Sequence, residues 1–400
     1  MPAYTVSENI LFFICGLGIL QGFLLSALIF FHPKGDKSVN KFLAVYILCI
    51  TAVMTMPIAI DIIGWQNSYI IMSVPSLPPI FLYLYILSFK KTITWQIVLP
   101  HFIIVFVILL LAYINLSAIA KIYPDAKHIP PEGLKRPLTL IVIGIRTIQQ
   151  FFYYFLSLKT LKSYQQSIQH LFSDTSRIDL HWARFLANGF IVLICAFIVI
   201  FPLMISYPNY FDLLLLLNMA IATPYIYIAT YKGIMQSAIW QIQPEMKREK
   251  IEEELQQAEK IEMQITNSEK NKPAKTTLSQ DKINHITQKI VALMEQEKLY
   301  QETELTLQQL ADKLQTPTYQ VSQAINEGLK KNFYDLINGY RVEDAKRLLQ
   351  DPKSINYTIL SIGFDAGFNS KTTFNTVFKK FTGVTPTEFK NKNKMMTIPA

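Results

Sequence analysis

The chain has 400 residues, of which 51% are hydrophobic and 17% are charged, and its formal net charge is +9. This composition excludes one ordinary soluble domain and indicates that much of the chain lies in lipid. Most of the apolar residues precede Tyr231, whereas the chain after Pro244 is rich in Lys, Glu and Gln. We therefore expect two unlike halves.

Seven apolar stretches in the first half have the length of about 20 residues that a helix needs to span a bilayer. They are residues 9–31, 42–63, 69–89, 97–119, 138–158, 185–205 and 211–231. Pro75, Pro78 and Pro79 interrupt the third stretch, which we expect to be kinked or unwound and packed inside the bundle. The sequence predicts a seven-helix transmembrane domain in residues 1–235.

Lys and Arg in the short loops predict the orientation, because basic loops stay in the cytoplasm. The first, third and fifth loops are basic, whereas the second and sixth loops and the N-terminus contain no Lys or Arg. The fourth loop, with Lys121, Lys127, Lys135 and Arg136, is an exception. We expect the N-terminus outside and everything after Tyr231 in the cytoplasm.

Arg146 in the fifth predicted span is costly in lipid, by about 2.5 to 3.5 kcal/mol on insertion scales. The predicted topology places Asp61 and Asp212 at a similar depth, in the outer half of the bilayer. Two interpretations stay open. In the first, the three residues form a structural ion-pair cluster. In the second, Arg146 anchors an outward-facing pocket for an anionic or polar signal.

Residues 236–280 are predicted to connect the two halves. Between residues 243 and 265, Ile251, Leu255, Ala258 and Ile265 have roughly the spacing of a coiled-coil core, interrupted by Glu262. This pattern fits either a dimeric signalling helix, through which a homodimer would form, or a solvated single helix. Residues 267–280 are polar and indicate a flexible linker.

Amphipathic helices follow from residue 281. The first places Ile283, Ile286, Ile290, Leu293 and Met294 on one face. Thr306 and Gln309 form a predicted capping box before a short helix that ends near Pro317. A second short helix, about 318–327, would bury Val321, Ala324 and Ile325 and present Tyr319, Ser322 and Gln323 to the major groove. This is the pattern of a helix-turn-helix.

The pattern repeats after a joining helix predicted at 333–349. A short helix from about residue 358, the turn DAGFNS and a helix at 371–381 form the second candidate unit. Phe374, Val377 and Phe378 would pack inward in this last helix. The outward positions, which we expect to contact bases, are Lys371, Thr372, Asn375 and Thr376.

Residues 305–390 resemble the DNA-binding domain of the AraC/XylS family of transcription regulators. The resemblance is carried by YRVEDAKRLL and ILSIGFDAGFNSKTTFNTVFKKFTGVTPTEFK. It implies a domain of seven helices with two helix-turn-helix units, here residues 281–392, followed by a tail, residues 393–400. It also implies base contacts from Tyr319, Ser322, Gln323, Lys371, Thr372, Asn375 and Thr376. Two positions depart from the family pattern: Gln323 stands where Arg is frequent, and Gly363 stands where Ala is usual. The layout is similar to a membrane-bound subgroup of the family.

The sequence thus predicts an all-α protein of the bacterial inner membrane that regulates transcription, with double-stranded DNA, the bilayer and an unknown signal as partners. The six basic residues beyond Gly367 suit phosphate contacts. We expect no catalytic residue, metal or cofactor, because the chain contains no nucleotide loop, metal-spaced Cys and His cluster or nucleophile motif. The alternatives are a transporter with a regulatory tail and a C-terminal domain that binds protein instead of DNA.

Overall fold

The computed structural model describes residues 6–33, 37–126, 129–176, 178–239, 278–354 and 357–396. These residues are helical except for turns and one isolated bridge between Phe172 and Thr306. The all-α prediction is confirmed. The chain forms two compact units, one from Met1–Ser163 and Leu180–Met246 and the other from Tyr164–Asp179 and Lys247–Ala400.

The membrane-length helices are among α1 to α10. These ten helices lie in the first unit, except for the end of α8, which lies in the second. Their bounds are α1 Val6–Phe30, α2 Lys37–Met54, α3 Met56–Ile63, α4 Tyr69–Ser73, α5 Leu77–Leu87, α6 Trp95–Ile122, α7 Pro131–Leu134, α8 Pro137–Leu171, α9 His181–Ser206 and α10 Phe211–Ile239.

Six helical regions among the described residues are long and apolar enough to cross a membrane. They are Phe13–Phe30, Lys37–Met54, Tyr69–Leu87, Trp95–Ile122, Pro137–Leu171 and His181–Ser206. The seventh predicted span lies in α10, whose apolar stretch Leu213–Ala229 is shorter. At 1.5 Å per residue this stretch is about 25 Å long, against about 30 Å of hydrocarbon. A count of seven spans therefore stays a prediction.

The third predicted span is broken at its first proline, as the sequence indicates. Between α4 and α5 the chain forms a 3-10 turn at Val74–Ser76. Pro79 lacks the N–H that would bond to the carbonyl four residues earlier, that of Pro75. The Nε2 group of Gln150 on α8 donates to this carbonyl instead, at 3.1 Å. On the same helix, Gln149 donates to the carbonyl oxygen of Ser76 at 3.0 Å.

Two glycines of α1 allow it to pack closely against α2 and α10. A Cβ at Gly22 would lie 2.1 Å from the Thr51 hydroxyl on α2, and one at Gly18 would lie 2.8 Å from the Thr223 hydroxyl on α10. Glycine therefore lets these backbones approach closely, as is usual for helices packed in membranes.

The second unit contains seven α-helices in the described range 278–396, which agrees with the predicted number. They are α11 Gln280–Gln296, α12 Leu307–Lys313, α13 Thr318–Gln323, α14 Phe333–Gln350, α15 Ile359–Asp365, α16 Lys371–Thr382 and α17 Pro386–Met396. Three phenylalanines form the centre of its C-terminal core. Phe374 packs against Phe368 and Phe378, with ring centroids 5.0 and 5.6 Å away.

Candidate nucleic-acid interface

The first candidate helix pair is α12 and α13. Thr306 caps α12: its hydroxyl accepts from the Gln309 N–H at 3.2 Å, and the Gln309 side chain accepts from the Thr306 N–H at 2.8 Å. The predicted capping box is thus confirmed. Gln315 has φ of 49° in the turn between the helices, and Pro317 precedes α13. Val321, Ala324 and Ile325 are buried, as the helical pattern predicts.

The polar face predicted for α13 is only partly exposed. Tyr319 is 39% exposed, but Ser322 and Gln323 are 6% and 8% exposed. The expectation that all three point outward is therefore wrong for Ser322 and Gln323. Since α13 packs against both α11 and α12, more of its circumference is covered than one neighbour would cover. The assignment of Tyr319, Ser322 and Gln323 as DNA contacts stays a prediction.

The second candidate pair is α15 and α16, joined by a turn that requires glycine. Gly367 has φ of +93°, and a Cβ there would lie 2.7 Å from the Gln301 Cα and from the Tyr300 carbonyl oxygen. Ser370 caps α16, because its hydroxyl accepts from the Thr373 N–H at 3.1 Å. Gly383, with φ of +79°, ends the helix. These features fix where α16 begins and ends.

The outer face of α16 is polar and accessible. Lys371, Thr372 and Thr376 are exposed and Asn375 is half-buried, whereas Phe374, Val377 and Phe378 are buried. Within the described part of the chain, the Asn375 and Thr376 side chains form no hydrogen bond. Their donors and acceptors are therefore available for an external partner. Their contacts with bases stay a prediction.

The lysines of this region divide into two groups. Lys380 forms an ion pair with Asp335 at 2.8 Å, and Lys390 donates to the Tyr357 carbonyl oxygen at 3.1 Å. Lys371, Lys379 and Lys392 are exposed and form no ion pair with any described residue. The second group has the charge needed for phosphate contacts, and none of its members has to break a close ion pair to make them.

The helix α14 joins the two candidate pairs, and its middle contains a buried arginine. Arg341 is 1% exposed and donates to the carbonyl oxygens of Tyr300, Glu302 and Thr303 at 2.7, 2.6 and 3.3 Å. Burial lowers the pKa of Arg341 to about 10, so the guanidinium is charged at neutral pH.

Arg341 is not among the site residues expected from the sequence. It lies four residues after Ile337 and four before Ala345, both of which are fully buried. A polar residue at helical spacing within an apolar stripe is the signal by which the sequence could have indicated a buried, hydrogen-bonded arginine.

The residues predicted to sense a signal are only partly described. The side chains of Asp61 and Asp212 lie outside the described part, so the ion-pair interpretation is not tested. Arg146 donates to the Met72 carbonyl oxygen at 3.4 Å, and its guanidinium carbon lies 5.4 Å from the centroid of the Phe197 ring. Arg146 thus contacts α4, next to the break that Gln149 and Gln150 stabilise.

No group of three or more His, Cys, Asp and Glu side chains that could hold a metal occurs within the ranges that the structure describes. The three cysteines are all free thiols.

Comparison with known proteins identifies the C-terminal region alone. Residues 310–392 match a family model described as a helix-turn-helix domain. A search of curated proteins and a search of solved structures returned no significant match. The matched range contains α13 to α16 and the start of α17, so it includes both sequence segments, residues 340–349 and 359–390, that carry the resemblance. The C-terminal region of this chain is an AraC/XylS-type helix-turn-helix DNA-binding domain.

Proposed function

We propose that the protein is a one-component transcription regulator integral to the bacterial inner membrane. It binds DNA sequence-specifically through two helix-turn-helix units, α12–α13 and α15–α16, and its membrane domain senses a signal. One observation carries this proposal: an AraC-type domain and six helices of membrane-spanning length occur in a single chain.

Two units joined by α14 suit an asymmetric DNA site. The 18 residues of α14 make a helix about 27 Å long, close to the distance of about 34 Å between successive major-groove segments. On α16, Lys371, Thr372, Asn375 and Thr376 would contact DNA, and Tyr319 is the most exposed candidate on α13.

The proposed orientation places the N-terminus outside and the DNA-binding domain in the cytoplasm. The basic loops support it. The compact units give independent support, because Tyr164–Asp179, from the fifth predicted loop, belongs to the same unit as the DNA-binding domain. The fifth loop and the DNA-binding domain would then lie on one side of the membrane.

Sensing is proposed because six membrane-length helices are far more than an anchor needs. A signal would shift the population of two states by its differential affinity for them. A homodimer through residues 243–265, which lie outside the described residues, would bring two DNA-binding domains together.

A chimera tests sensing. Residues 1–163 are replaced by one unrelated anchor helix and residues 180–235 are removed, so that Tyr164–Asp179, which belongs to the DNA-binding unit, is kept. The target genes are then measured under growth conditions that change their expression in the parent strain. We expect the chimera to lose this dependence while still binding DNA. Normal dependence in the chimera would mean that the membrane domain is only a tether.

A further inference from the structure

The stretch Phe172–Thr175, between α8 and α9, is built into the DNA-binding unit. Phe172, Ser173 and Thr175 are 5%, 0% and 9% exposed. Phe172 forms an antiparallel bridge with Thr306, the residue that caps α12. We call this stretch the docking segment.

Every polar group of Ser173 has a partner in the domain. Its N–H and its hydroxyl both donate to the Leu305 carbonyl oxygen, at 3.2 and 2.7 Å. Its carbonyl oxygen accepts from the Asn338 side chain at 2.8 Å, and its hydroxyl accepts from Arg341 at 3.2 Å. Such complete satisfaction of a fully buried serine is typical of a specific contact rather than of loose proximity.

The partners of Ser173 lie at a central place in the domain. Asn338 and Arg341 belong to the middle of α14, the helix between the two candidate pairs, and Leu305 directly precedes the Thr306 cap of α12. If the segment withdrew, the buried groups of Asn338 and Arg341 would lose partners, which is unfavourable unless water replaces them.

Chain connectivity gives this contact a role. The docking segment follows directly after α8, which also contains Arg146, and α9 begins six residues after Thr175. A displacement of α8 would therefore reach α12 and α14 through the four residues of the docking segment, and one of α9 through these and residues 176–180, in both cases independently of the connector at 236–280.

We propose that the docking segment is the element through which the membrane helices control the DNA-binding domain, by clamping or releasing the middle of α14. This inference rests on the proposed function. It assigns regulation to a contact within the chain, and it predicts that fixing the contact alters DNA binding. Couplings between sites are typically 5- to 150-fold in affinity.

The experiment uses the full-length protein in nanodiscs, with Cys15, Cys49 and Cys195 replaced by alanine. Phe172→Cys is combined with Thr306→Cys, since residues paired across an antiparallel bridge are close enough for a disulfide. The control combines Phe172→Cys with Asn391→Cys, an exposed position on α17, so both proteins bear the same Phe172 replacement.

A protease site inserted after Ala274 reports the bond, because the two cleaved fragments stay together on a non-reducing gel only if the disulfide joins them. We expect rapid oxidation of the Phe172–Thr306 pair and little of the control pair. Equal rates for the two pairs would overturn the docking itself.

DNA binding is then measured for the oxidised and reduced forms of the Phe172–Thr306 protein, uncleaved, on a genomic fragment enriched by crosslinking. We expect the affinities to differ by at least about five-fold. Equal affinities would overturn the control role. DNA binding is also measured for the parent protein, which keeps Phe172 and the Thr306 cap. A parent that binds no DNA would overturn the proposed function, and with it the regulatory role, while a disulfide in the Phe172–Thr306 protein would still establish the docking.

Discussion

Replacing Asn375 and Thr376 by alanine separates base recognition from folding. Neither side chain has a hydrogen-bond partner among the described residues, so their removal leaves no internal group unpaired. Alanine is also the better helix former, by up to about 0.7 kcal/mol per position. The double variant Asn375→Ala/Thr376→Ala is therefore expected to keep or slightly increase the stability of α16.

The loss should appear in specific DNA binding. A good side-chain contact with a base contributes about 1 to 3 kcal/mol of discrimination, so each lost contact lowers specific affinity about 5- to 150-fold. Binding to random DNA should change little, because it depends on phosphate contacts. The assay is an equilibrium titration of full-length protein with an enriched genomic fragment and with a scrambled fragment of equal length.

The chain offers a matched control. Thr387 and Asn391 are the same two residue types, four positions apart and exposed on α17. The variant Thr387→Ala/Asn391→Ala should bind the specific fragment as the parent does. Equal losses on the specific and scrambled fragments, or an unchanged specific affinity in the Asn375 and Thr376 variant, would refute base recognition by α16.

Three further predictions concern other parts of the molecule. Lys379→Ala should reduce the slope of log affinity against log salt concentration by about 1 on every DNA sequence, as a titration at four salt concentrations would show. Gly367→Ala should abolish hydrogen-exchange protection of α15 and α16, because the new Cβ would lie 2.7 Å from backbone atoms. Gly383→Ala should only weaken this protection, because a Cβ there has no atom within 4 Å and the cost is that of the positive φ alone. Equal effects of the two glycine variants would contradict the steric argument. Arg146→Gln should abolish or lock the response of the target genes while protein level and membrane insertion, measured by immunoblotting of membranes, stay unchanged.

The sequence was sufficient for the features that depend on local chemistry. The capping box at Thr306, the end of α16 at Gly383 and the buried positions Phe374, Val377 and Phe378 follow from residue type and helical period. The break in the third span likewise follows from Pro75, Pro78 and Pro79, because each proline removes a backbone donor.

Features that depend on distant parts of the chain were not predictable in this way. Ser322 and Gln323 are buried on a helix that has two neighbouring helices, whereas periodicity describes one helix at a time. The contact of Ser173 with Arg341 spans 168 positions. Nothing in the local pattern around Ser173 indicates its partner.

The packing of α15 explains why glycine stands at position 363, where the family pattern has alanine. A Cβ at this position would lie 2.6 Å from the Phe374 ring, which is 1% exposed and held between Phe368 and Phe378. Glycine here lets α15 pack directly against that ring, at a cost in helix propensity of under about 1 kcal/mol.

Genome-wide crosslinking of the intact, membrane-embedded protein to DNA tests whether this membrane protein binds DNA sequence-specifically. We expect a limited set of enriched sites that share one asymmetric sequence motif, with enrichment lost in the Asn375→Ala/Thr376→Ala variant and retained in the Thr387→Ala/Asn391→Ala variant. Enrichment no greater than that of a membrane protein without a DNA-binding domain would contradict this expectation.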